Sequence, residues 1–70
     1  MAEHLIDRLE HPCGLSVELW RHDDMPSSLL YKRLLWGEVT FQAFFLEHEA
    51  NREELVAQLL EEGFVRQEPS

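Results

Sequence analysis

The chain has 70 residues, 44% hydrophobic and 29% charged, a balance that indicates one small ordered domain rather than a disordered segment. Fourteen acidic against six basic residues give a formal net charge of -8. This acidic excess disfavours nucleic-acid phosphates and anionic membrane surfaces, because binding to either depends on lysine and arginine. The expected partner is therefore another protein with a basic surface.

Three features of the sequence concern the cellular compartment. Cys13 is the only cysteine, so no disulfide can form within the chain. The first residues lack the basic and apolar regions of a signal peptide, and no apolar run approaches the roughly 20 residues that span a bilayer. We therefore predict a cytoplasmic protein.

Residues 2–11 predict a modest amphipathic helix. Leu5, Ile6 and Leu9 follow the spacing i, i+1 and i+4, which places them on one helical stripe. Pro12 disfavours helical geometry in the residue before it, so the helix should end there. No good N-cap residue stands at its start.

Residues 15–22 alternate between apolar and polar side chains, which predicts a half-buried strand. Its two leucines and its valine share one face, and Trp20 stands on the opposite, polar face. Residues 23–28 are rich in aspartate and serine, which indicates a turn or loop.

Residues 28–36 fit either a helix or a strand. The helical interpretation has Ser27 or Ser28 as N-cap and Gly37 at the C′ position. The strand interpretation pairs this segment with residues 39–47 in a hairpin. Leucine-rich composition with a cap at each end favours the helix.

Residues 39–47 carry the densest β signal and are predicted to form the central strand. The first face of this strand is wholly apolar, and the second is apolar only in its C-terminal half. In order, the two faces are Val39, Phe41, Ala43 and Phe45, and Thr40, Gln42, Phe44 and Leu46.

Residues 51–62 predict the main helix. Asn51 is an N-cap candidate, and Glu54 three residues later completes a variant of the capping box. The apolar stripe consists of Leu55, Val56, Leu59 and Leu60.

Gly63 and Phe64 predict how this helix ends. Gly63 supplies the left-handed residue, and Phe64 at C″ should pack on Leu59, as in a Schellman motif. Residues 64–68 then indicate a short edge strand.

Together these elements predict a single α+β domain over residues 1–70. Its mainly antiparallel sheet of three to four strands packs against one long helix (51–62), with an N-terminal helix and either a helix or a strand at 28–36. The segment from 39 to 68 is long enough for a right-handed βαβ crossover, which puts the helix on the face of Phe41 and Phe45.

The sequence gives little support for catalysis or metal binding. Four residues of metal-ligand type fall in its first third but lack the paired spacings of a zinc site: His4, His11, Cys13 and His22. Cys13 as a nucleophile would need a base and an orienting group, and a domain this small rarely encloses a substrate cleft. The pair Lys32 and Arg33 is too small a basic cluster for nucleic acid. We predict no metal, no cofactor and no enzymatic activity.

The second sheet face raises the question of what covers it. Trp20, Phe44 and Leu46 lie opposite the side that the helix should cover, and a chain of this length has little material left. Either the N-terminal helix packs there or the patch is exposed. Exposed apolar patches of several hundred Å² mark binding or self-association sites.

The sequence therefore predicts a small acidic protein–protein interaction module: an adaptor, an accessory subunit or a regulator. Apolar anchors supply affinity and acidic side chains steer the module towards a basic partner, and a homodimer is one way to cover the patch. The predicted contact residues are Trp20, Trp36, Phe44, Leu46, Glu53, Glu54, Glu61 and Glu62. The alternative is a nucleic-acid mimic or inhibitor that occupies a basic groove on a target protein, with a steep salt dependence.

Overall fold

A computed structural model describes residues 2–46 and 52–67 of the chain. These residues form one five-stranded sheet and one helix, so the predicted sheet of three to four strands is too small. Neighbouring strands are antiparallel throughout, in the order β4-β3-β2-β1-β5. The elements are β1 Glu3–Glu10, β2 Leu15–His22, β3 Met25–Leu35, β4 Glu38–Leu46, α1 Arg52–Glu61 and β5 Val65–Gln67.

The predicted N-terminal helix is wrong, because residues 3–10 form β1. Residues 11–14 close a β-turn in which the Gly14 N–H donates to the His11 carbonyl at 3.0 Å. Pro12 at the second position of this turn supplies the φ that the turn needs. The turn sends the chain back as β2, whose predicted strand is confirmed, and pairing with β2 satisfies a backbone that an uncapped helix would have left frayed.

A bulge in β1 explains why its spacing imitated a helix. Leu5 pairs with Trp20 and Asp7 with Leu19, so Ile6 is the extra residue. The bulge places Leu5 and Leu9 on opposite faces of the sheet, although their separation of four would put them on one face of a regular strand.

The predicted helix at 28–36 is also wrong, because this segment lies within β3 and pairs on both sides. Trp36 and Gly37 both have positive φ, 51° and 87°, as a type I′ hairpin turn requires. The glycine taken as a helix C′ residue is therefore a hairpin glycine. The predicted turn over residues 23–28 is shorter than expected, since β3 already begins at Met25.

β4 is an edge strand, and the prediction that it is central is wrong. β3 is its one neighbour in the sheet, and β2 occupies the centre. A bulge at Thr40 also changes its faces: Phe41 pairs with Arg33, whereas Val39 pairs with Leu34, and so lies on the face opposite Phe41.

The helix predicted over 51–62 is confirmed for Arg52–Glu61, although with ten residues it is shorter than expected; Asn51 lies outside the described residues. Its C-terminus is the Schellman motif that the sequence predicts. The Phe64 N–H donates to the Leu59 carbonyl at 3.1 Å, the Gly63 N–H donates to the Leu60 carbonyl at 3.2 Å, and Gly63 has φ +103°. Phe64 is buried beside Leu59.

One hydrophobic core lies between α1 and the part of the sheet near β1. The face of the sheet that carries this core is called the helix face, and the opposite face is called the open face. The core residues are Leu9, Val17, Leu19, Val56, Leu59 and Phe64, with Leu15, Tyr31 and Leu55 packed around them. β4 and β5 occupy opposite edges of the sheet and run in the same direction, and α1, which lies between them in the chain, packs on the helix face. In the described residues, no helix has both the length and the apolar character needed to cross a membrane.

Candidate protein-binding surface

Exposed apolar side chains concentrate on β4. Eight of its nine residues are exposed. Of the eleven large hydrophobic side chains exposed in the described part of the chain, five belong to it: Val39, Phe41, Phe44, Phe45 and Leu46. The outer backbone groups of this strand have no partner strand within residues 2–46 and 52–67. This strand and its side chains are called the β4 edge below.

The opposite edge of the sheet is built differently. β5 has only three residues and covers only the end of β1, where Arg66 pairs with Leu9. Arg66 also binds Asp7 there through Nε at 2.9 Å, and Arg52 approaches the same carboxylate at 3.8 Å. Short strands and charged side chains prevent unwanted strand pairing. The β4 edge has neither protection, since Glu38 is its single charged residue.

Phe41 and Phe45 are exposed because α1 packs over the β1 end of the helix face, away from β4. Both lie on the helix face, where their rings meet the Tyr31 ring edge-on at centroid distances of 6.2 and 6.0 Å. Tyr31 in turn borders the core under α1. Both phenylalanines were predicted to lie on a covered face, so they were not predicted as binding residues. An apolar strand has the same sequence signature whether it is buried in a sheet or exposed at a binding edge.

Tyr31 marks the boundary between the covered and uncovered parts of the helix face. Its partial burial raises the pKa of its phenol above the ordinary value of 10.0. Arg33 acts in the opposite direction through its positive charge, and Glu62 adds to the increase. The ring is thus partly withdrawn from water on the α1 side, while its neighbours on β4 remain open.

Trp20 lies on the open face but is half-buried. Its indole N–H donates to Glu18 at 3.0 Å, and the Lys32 ammonium stands 4.7 Å from the ring centroid, a cation–π contact. Lys32 also pairs with Glu3 at 3.4 Å. Long side chains of the sheet itself therefore cover much of this face, and Leu30 beside Trp20 is only 4% exposed. The N-terminal residues do not cover it as a helix, since they form β1.

Trp36 is the most exposed large apolar side chain described, at 76%. Trp36 was predicted to lie at the end of a helix, whereas this residue stands in the β3–β4 turn. Its ring lies against Gly14: a Cβ at that glycine would come within 2.5 Å of the indole. The ring of Trp36 is thus directed towards the β1–β2 turn and away from the β4 edge.

The structure separates the two halves of the predicted interface. Phe44 and Leu46 lie on the open face, in register with Leu30 and Ser28. The acidic set lies on α1 and in the turn directly after it, on the helix face, and its four members are exposed: Glu53, Glu54, Glu61 and Glu62. One flat partner surface cannot contact both sets, and the β4 edge is the place where the two faces meet.

The residues considered for a metal do not converge. His4 lies at one end of the β1–β2 hairpin, where its Nε2 is 2.8 Å from Asp23, and His22 lies at the same end. His11 and Cys13 lie in the turn at the other end, about 25 Å away along eight-residue strands. The part of the chain that the structure describes contains no cluster of three potential metal ligands.

Cys13 is a free, exposed cysteine in the β1–β2 turn. The nearby His11 accepts a hydrogen bond from the Cys13 backbone N–H through Nδ1 at 3.1 Å, and its ring packs edge-on against Phe64 with centroids 5.1 Å apart. His11 is thus held by the turn and the core. A shallow cleft of about 600 Å³ lies beside this turn, lined in part by His11 and Trp36, but Cys13 does not line it.

Comparison of the chain with family models, with curated proteins and with solved structures found no match. The surface itself is therefore the basis for any functional conclusion.

Proposed function

We propose that this chain is a small acidic protein-interaction module that binds its partner through the β4 edge. The observation that supports this proposal is that β4, an edge strand, carries five of the eleven exposed large hydrophobic side chains of the described residues. An exposed, long, apolar edge strand can accept another strand, whose backbone supplies hydrogen bonds while side-chain contacts supply specificity.

Two parts of the surface have distinct roles in this proposal. Phe41 and Phe45 on the helix face and Phe44 and Leu46 on the open face grip the added strand from both sides. Trp36 lies outside this contact, because its ring rests against Gly14 of the β1–β2 turn. The exposed glutamates of α1 lie farther off, so they steer a basic partner at long range and contribute little to the final contact.

The nucleic-acid mimic is less well supported. Carboxylates on the sheet are largely engaged with cations: Glu10 and Glu18 with Arg8, Glu3 with Lys32, and Asp7 with Arg52 and Arg66. A mimic needs a row of unengaged carboxylates at phosphate-like spacing, and no described face of the sheet provides one. That alternative stays a prediction.

Quantitative capture from native lysate tests the proposal. The wild-type chain is compared with Phe44→Lys, which puts a charge in the middle of the β4 edge, and with Val65→Lys as a matched control. Val65 is 58% exposed on β5, at the other edge of the sheet. We expect specific partners to be lost with Phe44→Lys and retained with Val65→Lys. Equal capture by all three chains, from a wild-type chain that also stays monomeric, would refute binding through the β4 edge.

A further inference from the structure

We propose that the occupant of the β4 edge is a second copy of this chain, joined by antiparallel β4–β4 pairing centred on Ala43. This inference rests on the proposed function and names its partner. It predicts a continuous ten-stranded sheet with the two copies related by a two-fold axis perpendicular to it.

The charges of the β4 edge permit self-pairing despite the acidity of the chain. Glu38, its only charged residue, stands at the N-terminal end of the strand. Antiparallel pairing centred on Ala43 places the two copies of Glu38 at opposite ends of the interface, about 30 Å apart. Arg33 on β3, opposite Phe41, further balances the local charge. A second copy therefore meets a nearly neutral strip, and the net charge of -8 opposes association only at long range.

The register follows from the faces of the strand. Residues directly opposite each other in an antiparallel pair lie on the same face, so a two-fold axis must pass through a residue of the strand. The bulge at Thr40 moves Val39 to the opposite face, which leaves Phe41–Leu46 as the regular stretch. Centring on Ala43 places Phe41 opposite Phe45 of the second copy, twice. Centring on Phe44 would give only one aromatic pair.

The Ala43-centred register also gathers the exposed rings. Phe41 and Phe45 of both copies form one cluster on the helix face, bounded on each side by Tyr31, whose ring already contacts both. Aromatic cross-strand pairs are among the most favourable contacts between antiparallel strands. A small residue at the axis lets the two strands approach closely.

The available area predicts a weak and reversible dimer. Phe41, Phe44 and Phe45 are 51%, 49% and 41% exposed. With about 200 Å² for each phenylalanine, and with Val39 and Leu46 added, each copy offers about 400 Å² of apolar side chain. The total of about 800 Å² from both copies is below the roughly 1,200–2,000 Å² of stable specific interfaces, so we expect a transient dimer that dissociates at micromolar concentrations.

Sedimentation of the purified chain is the first test. The molar mass should rise from 8.3 kDa towards twice that value with concentration, and the dimer should strengthen as added salt screens the repulsion between acidic copies. Ala43→Lys should abolish the dimer, because it sets two lysines directly opposite each other. Val65→Lys on the other edge should leave it unchanged.

Cysteine cross-linking tests the register. In a Cys13→Ser background, Ala43→Cys puts two thiols on residues whose Cα atoms are about 4.5–5.5 Å apart, within disulfide range. Phe45→Cys is the matched control on the same face, with its two copies about 13 Å apart along the strand. We expect rapid oxidation at position 43 and little at position 45. Equal cross-linking at the two positions would overturn the register.

The two levels of the proposal fail separately. A chain that stays monomeric to about 1 mM overturns the dimer. If Phe44→Lys nevertheless loses captured proteins, binding through the β4 edge stands with a different partner. If Phe44→Lys captures the same proteins as the wild type, the proposed function falls as well.

Discussion

Replacement of Arg66 by methionine should destabilise this domain more than any other single loss of a surface charge. Arg66 lies on β5 and donates from Nε to Oδ1 of Asp7 at 2.9 Å, and also from Nη2. Asp7 is only 4% exposed, and its Oδ2 has no hydrogen-bond donor in the described part of the chain. The pair joins β5 to β1, while Arg52 joins α1 to the same carboxylate at 3.8 Å.

The free energy of unfolding that Arg66→Met should remove follows from the contacts that Asp7 keeps. Arg66→Met leaves a buried carboxylate with no hydrogen bond to either oxygen and only the longer contact to Arg52. Loss of one partner from a buried pair costs about 3–5 kcal/mol, and the remaining cation reduces this to about 2–4 kcal/mol. Asp7→Asn should cost less, about 1–2 kcal/mol, because the side chains of Arg52 and Arg66 are 36% and 50% exposed and can turn to water.

Urea unfolding followed by circular dichroism at low protein concentration measures both values. A chain of this size has a total stability of roughly 4–10 kcal/mol, so Arg66→Met should remove a large share of it. The control is Arg8→Met: Arg8 is 45% exposed, its partner Glu10 is 47% exposed, and Glu18, which Arg8 approaches at 3.7 Å, keeps its hydrogen bond from the Trp20 indole. We expect a loss below about 1 kcal/mol. A loss for Arg66→Met no greater than for Arg8→Met, or a larger loss for Asp7→Asn, would refute the reasoning.

Three further predictions concern single sites. Gly63→Ala should destabilise the domain by about 1–2 kcal/mol in the same unfolding assay, since φ is +103° there and a Cβ would stand 3.1 Å from His11; an unchanged midpoint would contradict the Schellman ending. Tyr31 is the only tyrosine, so its absorbance on alkaline titration should report a pKa above 10.0. The stability that the domain gains from the neutral phenol should be complete below pH 10.0 and should be lost as the pH rises through the folded pKa. The hydrogen bond from His4 lowers the pKa of Asp23 below 3.8. The stability that this hydrogen bond contributes is therefore present above pH 3.8 and is lost as the pH falls through the folded pKa of Asp23. His4→Ala should return the Asp23 pKa towards its ordinary value by carboxyl NMR, and no change would remove His4 as the cause.

The parts of the fold that the sequence predicted correctly are those with local signals. The strand at 15–22 follows from alternation alone, and the end of α1 follows from Gly63 and Phe64. The errors at residues 2–11 and 28–36 have another origin. A bulge at Ile6 imitated helical spacing, and Gly37 serves equally well as a helix C′ residue or as a hairpin glycine. In both segments, pairing with neighbouring strands decided the outcome, and such pairing leaves no mark within a short window.

The candidate surface shows the same limit more sharply. Phe44 and Leu46, predicted as contact residues, are exposed, but Phe41 and Phe45 were assigned to a covered face. The exposure of Phe41 and Phe45 depends on the order of strands in the sheet, which places β4 at one edge and α1 over the strands near the other edge. Trp20 was expected outside and is half-buried, because Lys32 from the neighbouring strand lies over its ring. Both facts are properties of the three-dimensional arrangement of strands, which the residues of one segment do not encode.

The strand order also has a consequence for how the chain folds. β1 to β4 form three successive hairpins, each joining residues that are close in sequence. The pairing of β5 with β1, in contrast, joins Arg8–Glu10 to residues nearly sixty positions away. Closure of so long a loop is entropically costly and slow compared with hairpin formation. We therefore expect the meander of β1 to β4 to assemble first, and α1 and β5 to dock last. In a ribosome-bound nascent chain, β1 to β4 should pair before the C-terminal residues emerge.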